Sequence, residues 1–172
     1  MAVSRNGFAD VVEVHMDKTD KAILSILQQD STQPVADIAR KVGLSTTPCW
    51  RRIQKMEEDK VIRKRVAILD PEKINAGVTV FVFIKTDKHN DEWLKRFAEV
   101  ISEFREVVGF YRMSGDIDYL LRVVVPDISA YDLFYKKLVS KIDIENVSSA
   151  FAMERIKDTT EMPLDYIEVN RS

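Results

Sequence analysis

The chain has 172 residues, 45% hydrophobic and 31% charged, with a formal net charge of −2, which suits one large domain or two small ones with a usable core. No run approaches the ~20 apolar residues of a membrane-spanning helix, the N-terminus lacks the apolar segment of a secretory signal, and one cysteine cannot form an internal disulfide. A soluble cytoplasmic protein is therefore expected. His15 and His89 are the only histidines, and with no Cys/His cluster at zinc spacing neither a metal nor a cofactor is expected.

Residues 1–16 form an N-terminal extension in which ADVVEVH alternates enough to make a strand, or serves as an exposed arm. Asp17-Lys-Thr-Asp20 then opens a helical pattern, with Asp17 or Thr19 as cap and Ile23, Leu24 and Leu27 on one face. The polar run Gln28–Pro34 stops it. A second, short helix starts at Val35 with the stripe Val35, Ile38, Ala39 and Val42, and Gly43 stands where a left-handed turn would end it. Ser45 caps a third helix reaching about Asp59. Helix, helix, glycine turn, helix is the helix-turn-helix arrangement, here over about residues 35–54 within a domain expected at 17–65.

Positive charge is concentrated on that third helix and the segment after it. Arg40 to Arg65 holds nine basic and three acidic residues, so this segment carries +6 and the remainder −8. A basic patch on an acidic protein is what an anionic partner at one face requires, although a solvated charged surface has the same composition. At about 100° per residue, Cys49, Ile53 and Met56 share one side of the helix, with Trp50 at its edge, and Cys49 reads as a small buried hydrophobe. Thr47, Arg51, Gln54 and Lys55 share the opposite side, flanked by Pro48 and Arg52. This outward side fits a recognition helix in a major groove. Ser45, Thr46 and Thr47 can approach base edges or phosphate at the helix terminus, and Arg51 is the best base-edge candidate. Arg52, Lys55 and the residues Arg63, Lys64 and Arg65 read as phosphate contacts, which position without specifying. The partner is then double-stranded DNA. Ile62 to Leu69 alternates apolar and basic residues and is expected to be a strand or wing, leading into a linker at 66–77.

The composition then shifts. Val78–Thr86 is a β-branched and aromatic strand. Glu92–Phe104 is an amphipathic helix with Trp93, Phe97, Val100, Ile101 and Phe104 on one side. Val107–Met113 and Ile117–Pro126 read as strands joined by Ser114-Gly115-Asp116, a tight-turn signal. Ser129–Ile142 is a helix capped by Ser129, and Asn146–Lys157 is the last strand. The order is strand, helix, strand, strand, helix, strand, the split βαβ pattern of ferredoxin-like domains, over residues 78–158, with a tail at 159–172. The fold class is α+β. Gly115 supplies the positive φ such a turn can need, and Asp116 and Asp118 set carboxylates beside exposed amides, which suits the ammonium and carboxylate of an amino acid. The plain alternative is a solvated hairpin turn. Asp116 and Asp118 could also form an acid/base pair, but no nucleophile or metal cluster accompanies them, so no enzyme is expected.

The segments DKTDKAILSILQQD, VADIARKVGLSTTPCWRRIQKMEEDKVI, ILDPEKI and SGDIDYLLRVVVPD closely resemble the Lrp/AsnC family of transcription regulators, from about Met16 to Lys157. The resemblance implies an N-terminal winged helix-turn-helix and a C-terminal ligand-sensing, ferredoxin-like domain. It also implies homodimers through that domain, often assembled into octamers. An amino-acid effector would bind near an interface between dimers, at Ser114, Gly115, Asp116, Asp118 and Tyr119 with Ser148 and Ser149. TTPCW, DPEKI and SAFAMERIK are most similar to the branch responding to cysteine. The implied function is sequence-specific regulation of amino-acid metabolism, and the competing reading is a ligand-binding oligomeric scaffold that does not touch DNA.

Overall fold

The computed structural model of the chain describes residues 15–87 and 90–168. The expected N-terminal strand or arm therefore lies outside the described residues, except for His15 and Met16, and so does His89. The chain divides into two compact units. One is formed by the segment ending at Ala67 together with the segment starting at Asp158, and the other spans Ile68–Lys157.

The first unit holds three helices: α1 (Lys18–Gln29), α2 (Val35–Lys41) and α3 (Thr46–Glu58). Asp17 starts α1 through a reciprocal capping box. Its carboxylate accepts from the Thr19 and Asp20 amides at 2.8 and 2.9 Å, and Asp20 accepts in return from the Asp17 amide at 3.0 Å. After α2 the amide of Leu44 donates to the Ala39 carbonyl at 2.9 Å and that of Gly43 to Arg40 at 3.4 Å. This is the paired closure of a Schellman turn, and Gly43 at φ +72° takes the left-handed position that favours glycine. Leu44 folds back onto the core, which Ile23, Leu24, Leu27, Ile38, Ala39, Cys49, Ile53 and Met56 build from all three helices.

Two features depart from expectation. Ile62 to Leu69 forms no strand and is irregular, with residues 63–70 exposed. Its basic residues (Arg63–Arg65) and apolar residues (Val66–Leu69) fall in blocks and do not alternate strictly, and a strand also needs a neighbour to hydrogen-bond, whereas no strand of this unit is among the described residues. The second departure is the tail. Leu164 and Ile167, around a short 3₁₀ turn at Leu164–Tyr166, pack against the helical core. The Gln28 side chain exchanges hydrogen bonds with the Met162 backbone (3.1 and 3.0 Å), and Lys21 pairs with Asp165 at 2.9 Å.

The second unit contains β1 (Val78–Lys85), α4 (Asp91–Ser102), β2 (Val107–Arg112), β3 (Tyr119–Val125), α5 (Ile128–Lys141) and β4 (Asn146–Phe151). Its antiparallel sheet has the order β2-β3-β1-β4, the βαββαβ arrangement expected. Period-2 alternation sends Val80, Val82, Ile84, Tyr119, Leu121, Val123 and Val125 to one face, where Trp93, Phe97 and Ile101 of α4 and Phe134 and Leu138 of α5 cover them. Phe81, Phe83, Leu120, Arg122 and Val124 take the other face, which no helix of the unit covers, and are half-buried. Two boundaries move. Asp127, not Ser129, caps α5, its carboxylate accepting from the Ala130 amide at 2.8 Å, and β4 ends at Phe151, leaving Met153 and Ile156 exposed.

Candidate functional site

The third helix divides as its sequence requires. Cys49 and Ile53 are fully buried and Met56 nearly so, while Thr46, Thr47, Pro48, Arg51 and Lys55 are exposed. Burial pushes the Cys49 thiol above its ordinary pKa, against a smaller opposing pull from Arg52. A protonated, enclosed thiol is neither a nucleophile nor a ligand. Ser45 occupies the N-cap in an extended conformation, but its side chain makes no capping bond. The exposed first turn therefore keeps amides that an outside acceptor can meet.

The basic residues separate into committed and uncommitted groups. Arg52, expected on phosphate, is instead held within the unit: its guanidinium donates to Asp17 at 2.7 Å and to Asp20 at 2.8 Å. The two carboxylates that cap α1 thereby clamp α3. Hydrogen bonds to Asp20 and then Asp17 raise the Arg52 pKa. Asp17 is pushed up by burial but pulled down further by the Asp20 amide, Arg52 and the Thr19 amide, and ends below the usual carboxylate range. Lys55 pairs with Asp59 at 2.9 Å and Arg65 with Glu57 at 2.9 Å, both at the surface. Arg51, Arg63 and Lys64 are exposed, without a described ion pair. Arg51 and Lys55 border a groove of about 380 Å³ between α3 and the start of α1.

In the second unit the β2–β3 connection spans residues 113–118 and is closed by the Met113 amide on the Asp118 carbonyl at 2.8 Å. Gly115 sits at φ +111°, as its place in the turn demands, and Ser114, Gly115 and Asp116 are exposed. Asp118 is drawn into the fold, its carboxylate accepting from the Thr86 amide at 2.9 Å and its own amide donating to Ile84 at 3.0 Å. Tyr119 requires a correction as an effector contact. Only 4% exposed, it is ringed by Phe97, Trp93 and Phe110 at 5.3, 5.6 and 5.7 Å, and burial raises its phenol pKa. Its position on β3 turns it toward the helices.

Ser148 and Ser149 do not form one patch. They are adjacent on β4 and therefore point to opposite faces. Ser149 hydrogen-bonds the Tyr131 hydroxyl on the helix side, whereas Ser148 pairs in register with Phe83 of the open face. β1 lies between β4 and the β3 end of the turn, so one chain does not bring Ser148 beside Ser114–Asp116. Sequence reasoning also passed over Arg122, on the open face among Phe81, Phe83 and Leu120, whose Nε is buried without a hydrogen-bond partner.

Comparison with known proteins decides the family. Residues 16–57 match the AsnC-type helix-turn-helix domain and residues 79–162 the Lrp/AsnC ligand binding domain. The chain belongs to the Lrp/AsnC family. It is 49% identical over 151 residues to the DNA-binding transcriptional activator DecR of Escherichia coli, covering 87% of this chain and 99% of that one. It is 48% identical over 149 residues to the glutamate uptake regulatory protein of Zymomonas mobilis, covering 87% and 91%. A crystal structure of an AsnC family regulator from Agrobacterium tumefaciens superposes with a TM-score of 0.87 at 72% identity, over 89% of this chain and all of that one. A Neisseria meningitidis regulator solved with L-methionine gives 0.84 at 30% identity, over 89% and 99%. The protein is thus a helix-turn-helix transcriptional regulator, and no described helix is long and apolar enough to cross a membrane.

Proposed function

We propose that the protein regulates genes of amino-acid metabolism by inserting the first turns of α3 into the major groove of a partly palindromic site, under control of an amino acid. The observation that carries this is the division of α3: Cys49, Ile53 and Met56 fix it to its core while Thr47, Arg51 and Lys55 face outward from the same 13 residues. Arg51 reads a base edge, and Ser45, Thr46 and Thr47 contact the groove or its phosphates. Pro48 keeps the first turn preset. Lys55, Arg63, Lys64 and Arg65 supply phosphate contacts.

The effector is an amino acid bound at Ser114, Gly115 and Asp116, with Asp118 holding the turn in shape and Ser148 reaching it from another copy of the chain. The resemblance to cysteine-responsive regulators makes cysteine the first candidate. The methionine bound by the Neisseria relative makes methionine the second. Homodimers form through the open sheet face and assemble further, to octamers. Support comes from the half-buried Phe81, Phe83, Leu120 and Val124 and from exposed Val66, Ile68 and Leu69. Effector binding favours one assembly and so changes the spacing of paired recognition helices.

A footprint on the DNA upstream of the protein's own gene, with and without each amino acid and across a salt series, tests this. Preferential protection, with log affinity falling linearly against log salt, is the expected result. A protein that binds no genomic fragment preferentially at moderate salt is the ligand-binding scaffold instead.

A further inference from the structure

The helical pattern sets Trp50 at the edge of the core side of α3, yet it is 50% exposed. Among the described residues no aromatic ring packs on the indole, and its side chain makes no hydrogen bond. Tryptophan is the largest apolar side chain and is usually well covered, so a half-bare indole on a 13-residue helix whose core is already filled calls for an occupant.

Its position says which. Trp50 follows Thr46 by four residues and Thr47 by three, so it lies on the same helix surface as the exposed first turn. Helical side chains tilt toward the N-terminus and cover the turn before their own Cα, which directs a side chain at position 50 toward the turn of Thr46 and Thr47. Arg51 follows it directly, and Gln54 stands one turn on, so the surrounding outward surface is polar and basic. A protein partner would have to match this polar, basic rim around one aromatic ring. The major-groove floor matches it without adjustment, because thymine presents a C5-methyl group beside hydrogen-bonding base edges and phosphates.

We propose that Trp50 is a specificity-determining residue, its indole packing on a thymine methyl and the adjoining sugar beside the base read by Arg51. This rests on the reading of α3 as the recognition helix and adds a contact of a different chemical kind. The methyl contact makes the protein prefer thymine over cytosine or uracil at one position of each half-site.

The test begins with DNA selected by the wild-type protein from a random-sequence library. Each thymine of the selected site is then replaced by deoxyuridine, which removes only the methyl group. At one position per half-site the wild-type protein is expected to lose about fourfold in affinity, the value of one buried methyl, while Trp50→Ala loses nothing further there. Trp50→Ala itself is expected to lose at least about fivefold on the selected site with little change on random DNA and an unchanged salt slope. In a Trp93→Phe background, acrylamide quenching of Trp50 should fall when the selected DNA binds, a readout that does not depend on the stability of an alanine variant. If wild-type protein selects no sequence, the recognition-helix reading fails and this proposal with it. If it selects a sequence that Trp50→Ala binds equally well, or if no deoxyuridine position distinguishes the two proteins, this proposal alone fails. It also fails if Trp50 is already shielded in the free protein and DNA adds nothing, which would assign the indole to a contact within the assembly.

Discussion

Replacing Arg52 with alanine separates two roles that a basic residue on a recognition helix can have. In the structure its guanidinium spans Asp17 and Asp20 at 2.7 and 2.8 Å, with side-chain exposures of 44% for Asp17, 14% for Asp20 and 35% for Arg52 itself. The Asp17 contact is largely at the surface and carries a surface value, about 0.5 kcal/mol. The Asp20 contact is more enclosed, so losing its cation costs more, about 1 kcal/mol. Arg52→Ala is therefore expected to destabilise the helical unit by about 1–2 kcal/mol, a fall in Tm of about 4–16 °C for a unit of this size. Each unit holds one of the two tryptophans, Trp50 or Trp93, so urea unfolding followed by Trp50 in a Trp93→Phe background reports the right unit. A double-mutant cycle with Asp20→Asn should return a coupling of about 1 kcal/mol. The phosphate-contact role makes opposite demands: unchanged stability and a salt slope of DNA binding lowered by about one. A variant that keeps its stability while its salt slope drops would refute the clamp.

Three further outcomes are expected. Truncation after Lys157, or Leu164→Asp with Ile167→Asp, removes the apolar contacts of the tail and should lower the Trp50-reported unfolding free energy by about 1–2 kcal/mol; a shift confined to Trp93 emission would contradict the docking of the tail on α1. Because the Asp17 carboxyl is held below its unfolded value near 3.8, its contribution is fully present above that pH and is lost as pH falls through the lower folded value. The helical unit should accordingly lose stability below about pH 4, and Asp17→Asn should flatten that acid limb in urea melts collected from about pH 5 to about pH 2.5. In calorimetric titration with cysteine or methionine, Tyr119→Phe should leave affinity unchanged, since that phenol is inside the core, whereas Asp116→Asn should weaken binding several-fold; the reverse order would restore Tyr119 to the effector site.

How much of this could be read from the residues depends on how far apart the interacting groups lie. The face of α3 was legible because a helix repeats every 3.6 residues, so Cys49, Ile53 and Met56 locate the core with no outside information. The Gly43 turn was legible for the same reason. The partners of Arg52 were not, because Asp17 and Asp20 stand 35 and 32 residues away and a helical wheel contains no neighbours. The docking of Leu164 and Ile167 onto a helix at the other end of the sequence is a contact of the same type. Its local trace was the apolar residues Met162, Leu164, Tyr166, Ile167 and Val169, spaced among polar ones in the tail.

The strands show a sharper case, where the information was present in the sequence and the family resemblance overrode it. Tyr119, Leu121, Val123 and Val125 alternate in one register, and a tyrosine sharing that parity with three aliphatic residues belongs to the covered face. The same rule forbids adjacent Ser148 and Ser149 from lining one side of a pocket. Motif transfer treats neighbouring positions as a patch, whereas a β-strand sends each to the opposite face. Followed one residue further, the register that buries Tyr119 places Leu120, Arg122 and Val124 on the helix-free side. The unsatisfied Arg122 Nε and the apolar surface around it are thus the complement of the buried Tyr119: a single parity fixes which β3 residues complete the core under α4 and α5 and which lie on the half-buried side away from those helices.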